Sequence, residues 1–297
     1  MKRSVISLTA VLTAIALSAA LAVPVYAEDC EPVAENLELN TYRNVSVGGK
    51  LSAYDPDGDV TGFEITTQPV KGSIELKNDG SFVYTPHEDK RGRDYFGYKA
   101  MDAQGNVSQE ATVIIRIDKQ KSDVAYSDVD GTAGEYYAVA LSESGVFTGE
   151  RIGGVYCFCP ERELSRGEFF SMCMLCTGEE PVKGVMSTGY DDDESIPDWL
   201  RPYAMTAVMS GLESSADGSF HADAPMSRTE AIRALNKLLR LNDVRYVSLD
   251  GAEDVETAQA CANLSACGVI CEGELISDSL TRIEAAELLV NAMKLIG

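Results

Sequence analysis

Between residues 35 and 118 apolar and polar positions alternate in short runs. Ile74 and Leu76 share one face, as do Phe82 and Tyr84, then Phe96 and Tyr98, then Ala111, Val113, Ile115 and Ile117. A period of two marks strands with one face on a core and the other in water. Between Leu76 and Phe82 lies Asn78-Asp79-Gly80, a turn that tolerates positive φ and predicts a hairpin. About seven short strands, punctuated by Gly, Asn, Asp and Pro, predict a two-sheet sandwich over 35–118. After a linker at 119–125 the period lengthens and one unit recurs. Leu164-Ser165-Arg166-Gly167-Glu168, Met226-Ser227-Arg228-Thr229-Glu230 and Leu280-Thr281-Arg282-Ile283-Glu284 match one another, and each opens an amphipathic helix. In the second copy that helix shows Ile232, Leu235, Leu238 and Leu239 at helical spacing. Another helical stretch precedes each across a variable loop, ending in Gly145-Val146, Gly211-Leu212 or Gly268-Val269. The unit is therefore helix, loop, helix at roughly 55–60 residues, longer than the common helical solenoids, over 126–178, 188–241 and 246–297.

Ser or Thr followed three residues later by Glu is a capping box, in which hydroxyl and carboxylate each satisfy an orphan amide. That is the expectation for Ser165/Glu168, Ser227/Glu230 and Thr281/Glu284. The arginine between them is different, because a cation in the first helical turn opposes the macrodipole by about 0.3–1 kcal/mol. Three arginines at one offset ask for a reason. One is an anion site, with free helix amides beside a guanidinium fork. The other is pairing of each arginine with a nearby acid.

The N-terminal segment fixes the compartment. Lys2 and Arg3 precede an uncharged run from Val5 to Val23, then Pro24, Val25-Tyr26-Ala27 and the acidic Glu28 and Asp29. This is the layout of a secretory signal peptide, residues 1–27, with cleavage after Ala27. An uncleaved anchor is the rival, and Asp29 disfavours a lipid on Cys30. The formal net charge of −22 over 297 residues excludes nucleic acid or an anionic membrane as a partner of the overall field. Any anionic ligand needs a local basic pocket set against that field. With 45% hydrophobic residues the chain reads as a folded, secreted surface protein.

Strand count and spacing predict immunoglobulin-like topology for the β half. The stretch "LSAYDPDGDVTGFEI" through "GSIELKNDGSFVYTPHEDKRGRDYFGYKAMDAQGN" resembles the bacterial cadherin-like and Ig-like repeats of surface adhesins. Such repeats serve as spacers or adhesive modules, and some bind calcium. The candidate calcium ligands are Asp55, Asp57 and Asp59, with Asp102; the competing reading is a tight Asp-Pro-Asp-Gly turn whose carboxylates cap backbone amides.

Residues 126–297 resemble the S-layer homology motif in triplicate. The second copy carries Trp199, Gly211-Leu212 and "ADGSFHADAPMSRTEAI", and the first opens with "YSDVDGTAGEYYAVALSESGV". The resemblance implies an all-α pseudo-threefold bundle with grooves between units, binding an anionic, commonly pyruvylated secondary cell-wall polysaccharide. It implies that Arg166, Arg228 and Arg282 hold the anionic groups. Asp128, Gly145, Gly211 and Gly268 would shape the grooves, and Trp199 would be core or stack on sugar. The first loop, "ERIGGVYCFCPEREL", departs from the pattern by lacking the Asp217-Gly218-Ser219-Phe220 turn; the third copy has a shorter loop and no Trp near Val255. The expected function is a non-catalytic protein anchored to the Gram-positive wall and displaying the β module. The alternatives are an S-layer lattice component, partnered with other S-layer proteins, or an adhesin for host or neighbouring-cell glycans.

Seven of the eight cysteines fall in the helical half. Cys157, Cys159, Cys173 and Cys176 could coordinate zinc, form disulfides, or pack as small apolar residues; Cys261, Cys267 and Cys271 share the last two uses. His87 and His221 lie in different halves, and no nucleophile elbow or phosphate-binding glycine loop is present, so no enzyme is expected. The run Asp191-Asp192-Asp193-Glu194 reads as a solvated helix start.

Overall fold

A computed structural model describes residues 30–56, 58, 60–212, 217–245, 254–270 and 279–296. The signal segment, Asp57, Asp59, Cys271 and the opening of the third unit lie outside the described residues. Among those described, the β half has nine strands: β1 (Val33–Ala34), β2 (Leu37–Tyr42), β3 (Val47–Lys50), β4 (Ala53–Tyr54), β5 (Val60–Thr67), β6 (Gly72–Leu76), β7 (Ser81–Pro86), β8 (Gly92–Asp102) and β9 (Ala111–Asp118). They form a four-stranded sheet, β2-β9-β8-β5, and a three-stranded sheet, β3-β7-β6, with β1 paired to β4. All pairings are antiparallel except β2 with β9, which run parallel from Leu37↔Val113 to Tyr42↔Asp118.

The alternating residues meet between the sheets. Phe82, Tyr84, Phe96, Tyr98, Val113, Ile115 and Ile117 are buried, with Phe82 and Phe96 edge to face at 5.3 Å. Two buried phenols need partners. The Tyr84 hydroxyl donates to Asp94 at 2.8 Å, and the same carboxylate accepts from the backbone N–H of Val70 and Lys71. The Tyr98 hydroxyl donates to the Ser52 and Glu35 carbonyls. The Asn78-Asp79-Gly80 turn joins β6 to β7, with Gly80 at φ +81° and Lys77 N–H on the Ser81 carbonyl at 2.8 Å.

Six α-helices and a one-turn 3-10 helix (Asp193–Ser195) follow among the described residues: α1 (Glu135–Glu143), α2 (Arg166–Thr177), α3 (Arg201–Met209), α4 (Arg228–Leu239), α5 (Val255–Ala266) and α6 (Arg282–Ile296). The half is not all-α. The irregular first loop folds as a hairpin, β10 (Glu150–Ile152) with β11 (Val155–Cys157), turning at Gly153-Gly154, both at positive φ. Two adjacent glycines supply the backbone that a two-residue hairpin turn requires.

The helices pair in a circle: α2 on α3, α4 on α5, α6 on α1. At its centre the residues preceding the three caps form a ring of backbone hydrogen bonds. Met226 N–H donates to the Leu164 carbonyl (2.8 Å), Leu164 N–H to Leu280 (2.9 Å) and Leu280 N–H to Met226 (2.7 Å). All three side chains are buried. The first helix of each unit, α1, α3 and α5, ends alike. Gly145, Gly211 and Gly268 take φ +75°, +67° and +70°. The next residue's N–H reaches back to Leu141, Ala207 or Leu264. This is the Schellman closure, which needs a left-handed residue after the cap.

The halves touch through α1. Tyr42 stacks on Tyr136 at 5.9 Å, and Glu135 accepts from Ser46 N–H (2.9 Å) and Gly131 N–H (3.0 Å). Gly48 lies so close to Ala133 that an added Cβ would stand 2.6 Å from its methyl. Burial pushes the Glu135 carboxyl above the ordinary carboxylate range, against the amide bonds that lower it.

An alanine at Gly145, Gly211 or Gly268 would meet no atom of the described residues within 4 Å, so the cost expected is backbone strain. Each substitution is expected to lower stability by about 1 kcal/mol, read from urea unfolding. Because the folded pKa of Glu135 is raised, its contribution to stability grows as pH falls from neutral through that raised value, and is lost as pH rises. The stability difference between wild type and Glu135→Gln is therefore expected to shift in favour of wild type between pH 7 and about 5.

Candidate functional site

Each capping box forms. Ser165 Oγ accepts from Glu168 N–H while Glu168 accepts from Ser165 N–H; Ser227 with Glu230 does the same, and so does Thr281 with Glu284. Each box leaves its arginine at the first helical position, aimed back over the helix start. That direction leads into the neighbouring unit. Arg166 Nε donates to the Phe220 carbonyl (3.2 Å) and its NH1 to Glu230 (2.5 Å), the capping glutamate of the second unit. Arg228 stands 3.6 Å from Glu284, the capping glutamate of the third. Arg282 reaches the first unit, where NH1 donates to the Phe158 carbonyl (2.7 Å) and NH2 to Glu150 (3.1 Å), with its guanidinium 4.8 Å over Phe147. The capping Glu168 takes Arg162 instead, at 2.9 Å.

Arg166 is 8% and Arg282 1% exposed. Each guanidinium donates to a carbonyl and a carboxylate inside the ring, so the geometry makes them ties between units. Hydrogen bonding and charge from Arg282 hold the Glu150 carboxyl below its ordinary range.

Asp128 accepts from Phe158 N–H (2.8 Å) and Cys159 N–H (2.7 Å), fixing the first loop. Asp192 does the same in the second unit, to Phe220 and His221 N–H, both at 2.8 Å. Cys159 and His221 share φ +55°. Phe158 and Phe220 are buried, and each packs against a tyrosine, Tyr126 or Tyr190, at 5.5 Å. Asp192 thus opens the one-turn 3-10 helix Asp193–Ser195, as the sequence suggested, and its carboxylate also clamps the loop. The signal was present: Tyr126-Ser127-Asp128 and Tyr190-Asp191-Asp192 stand in register. The lost turn of the first loop is replaced by the β10–β11 hairpin, which delivers Phe158 to the same place as Phe220.

Between the first and second units lies a groove of about 450 Å³. Trp199 stands on its rim, 57% exposed, with Tyr203 edge to face at 6.4 Å. It is not a core residue. Arg162, Glu163, Glu168, Asp223 and the ring backbone at Leu164-Ser165 line the walls. Carboxylates outnumber the arginine, so this groove suits sugar hydroxyls and an apolar ring face better than a second anion. In the third unit Val255 is exposed, and the loop that follows α5 lies outside the described residues.

The other candidate ligands take structural positions. The Asp102 carboxylate accepts from the N–H groups of Gln104, Gly105 and Asn106 and from the Asn106 amide. Asp55 opens a turn in which its carbonyl accepts from Gly58 N–H at 3.1 Å, with Gly58 at φ +75°. Asp57 and Asp59 lie outside the described residues. Among the described residues no three His, Cys, Asp or Glu side chains gather as a metal site. Cys157, Cys159, Cys173, Cys176, Cys261 and Cys267 are unbridged. Burial pushes the Cys176 thiol up to about 12 and Cys261 to about 11, the range of an unreactive packing residue.

Residues 28–119 match the family model of the bacterial cadherin-like domain. The β half is a bacterial cadherin-like domain. No curated protein matches the chain. Among solved structures, an SrpA adhesin mutant from Streptococcus sanguinis is 21% identical, over 33% of this chain and 66% of that one, at a TM-score of 0.26. The sialic acid binding region of the Streptococcus sanguinis SK1 adhesin is 16% identical, over 55% and 42%, at 0.25. The fibronectin(III)-like modules of Clostridium thermocellum CbhA are 16% identical, over 30% and 47%, at 0.20. The chain spans less than two thirds of the length of each. No helix among the described residues is long and apolar enough to cross a membrane.

Arg166→Ala removes the guanidinium that reaches Phe220 and Glu230 across the first interface. It is expected to cost about 2–4 kcal/mol in urea unfolding, because a buried carbonyl loses its donor as a carboxylate loses its cation. A double-mutant cycle with Glu230→Ala should return a coupling of about 1–3 kcal/mol.

Proposed function

We propose that this is a non-catalytic surface protein whose helical half is a triplet of S-layer homology motifs in a pseudo-threefold bundle. The triplet holds the chain to a secondary wall polysaccharide, and the cadherin-like domain is displayed from it. The observation that carries this reading is Trp199, exposed on the rim of the groove between units one and two. An indole beside a groove of this size offers a flat apolar face for a pyranose ring, while Arg162, Glu163 and Asp223 meet the hydroxyls. Arg166, Arg228 and Arg282 act one step back: they tie unit to unit and so set the groove's width. Gly145, Gly211, Gly268 and Asp128 end the helices and fix the loops that bound the grooves.

A second reading, an adhesin acting through the cadherin-like domain, has its own observation. Tyr95 and Ile114 pair across β8 and β9 with both side chains exposed, and Tyr54 is exposed on the short β4. An aromatic and an aliphatic side chain side by side on an outer sheet face form a small binding surface.

Co-sedimentation with Gram-positive wall sacculi, before and after chemical stripping of the secondary polysaccharide, separates the two. Trp199→Ala, with its unfolding midpoint unchanged, is expected to lower binding to intact sacculi at least about tenfold, or 1.4 kcal/mol, while Tyr95→Ala leaves it intact. Binding that survives both stripping and Trp199→Ala would overturn the anchoring reading. If Tyr95→Ala alone abolishes binding, the adhesin reading takes its place.

A further inference from the structure

The junction between the two halves carries a second cleft, of about 580 Å³, unlike the groove at Trp199. The cadherin-like domain contributes Tyr42, Arg116 and Asp118, the linker Lys119 and Lys121, and the helical half Tyr136, Glu143, Val290, Met293 and Lys294 from α1 and α6. Four cations therefore face two carboxylates in a chain of net charge −22. Both carboxylates are already occupied. Asp118 holds Arg116 at 3.1 Å. Glu143 accepts from the N–H groups of Lys121 (2.6 Å) and Ser122 (2.7 Å) and from the Ser122 hydroxyl. Lys294 Nζ donates to the Asn291 side chain (2.9 Å), has Glu287 as its neighbouring acid, and lies 5.7 Å over the Tyr136 ring.

We propose that this cleft binds an anionic saccharide unit, a sugar ring bearing a carboxylate. The three lysines form a local positive field where the surrounding surface is negative, as a site for an anion on this chain must. The stacked Tyr42–Tyr136 pair, with Val290 and Met293, supplies an apolar wall that a bare inorganic anion would not use. The volume falls in the range of small-ligand sites and fits one or two sugar rings. Burial pushes the Tyr136 phenol up to about 12, so it stays neutral. Because the walls come from both halves, the ligand would bridge them. The proposal does not depend on the anchoring reading.

Calorimetric titration of the full secreted chain with a galacturonate disaccharide tests it, beside the neutral galactose disaccharide and inorganic phosphate. Saturable galacturonate binding is expected, at least about tenfold tighter than to the neutral sugar, weakened by added salt. The triple variant Lys119→Gln, Lys121→Gln, Lys294→Gln should lose at least about tenfold in affinity, and Lys121→Glu should lose binding too. Trp199→Ala should leave it unchanged, which separates this cleft from the wall-binding groove. Unfolding midpoints equal to wild type keep the comparison fair. The proposal is overturned if galacturonate does not bind, if the lysine variants bind as wild type does, or if phosphate binds equally well.

Discussion

The helical half depends on three backbone hydrogen bonds that lie in no helix. Leu164, Met226 and Leu280 each give an amide proton to one neighbour and a carbonyl to the other, in a closed circle at the centre of the bundle. A buried amide without a partner is costly, so each unit satisfies its own polar backbone only when the other two are in place. Helix pairing and the arginine ties follow from that closure. The residue after each ring position caps a helix, and the next is the arginine that crosses to the adjacent unit. Three consecutive residues thus link a unit to the ring, start its second helix and lock the interface.

This explains why a cation persists in the first turn of three helices despite the macrodipole. The cost is small, about 0.3–1 kcal/mol each. It is offset where the guanidinium reaches a buried carbonyl and a carboxylate of the next unit, as Arg166 and Arg282 do. The groove at Trp199 has walls from both units that such a tie joins. The framework residues and those open to a ligand are therefore neighbours in sequence with different work. The capping Glu168 belongs to both sets.

Much of this was legible in the chain. Period-two alternation named the buried residues of β7, β8 and β9, because those strands have one wet face. The Ser/Thr-to-Glu spacing named the caps, because the interaction is local. What could not be read were contacts across units and halves. Nothing near Glu135 in sequence says that it will accept from Ser46, and nothing near Asp192 says that it will hold Phe220. The hairpin in the first loop was hidden because its strands are three residues each, too short to show alternation. The destination of the arginines was the sharpest case: their recurrence was visible, but whether they faced solvent or a neighbour was decided by the cyclic packing.

The parallel pairing of β2 with β9 has a mechanical consequence. The cadherin-like domain begins near one of these strands and ends with the other, and six residue pairs join them in register. A pull between a tether on the helical half and a load on the outer end of the domain would run along this ladder. The hydrogen bonds would then be loaded together in shear and would fail collectively, whereas an antiparallel hairpin pulled at its open end unzips one bond at a time. The topology that closes the sheet also orients it to bear tension.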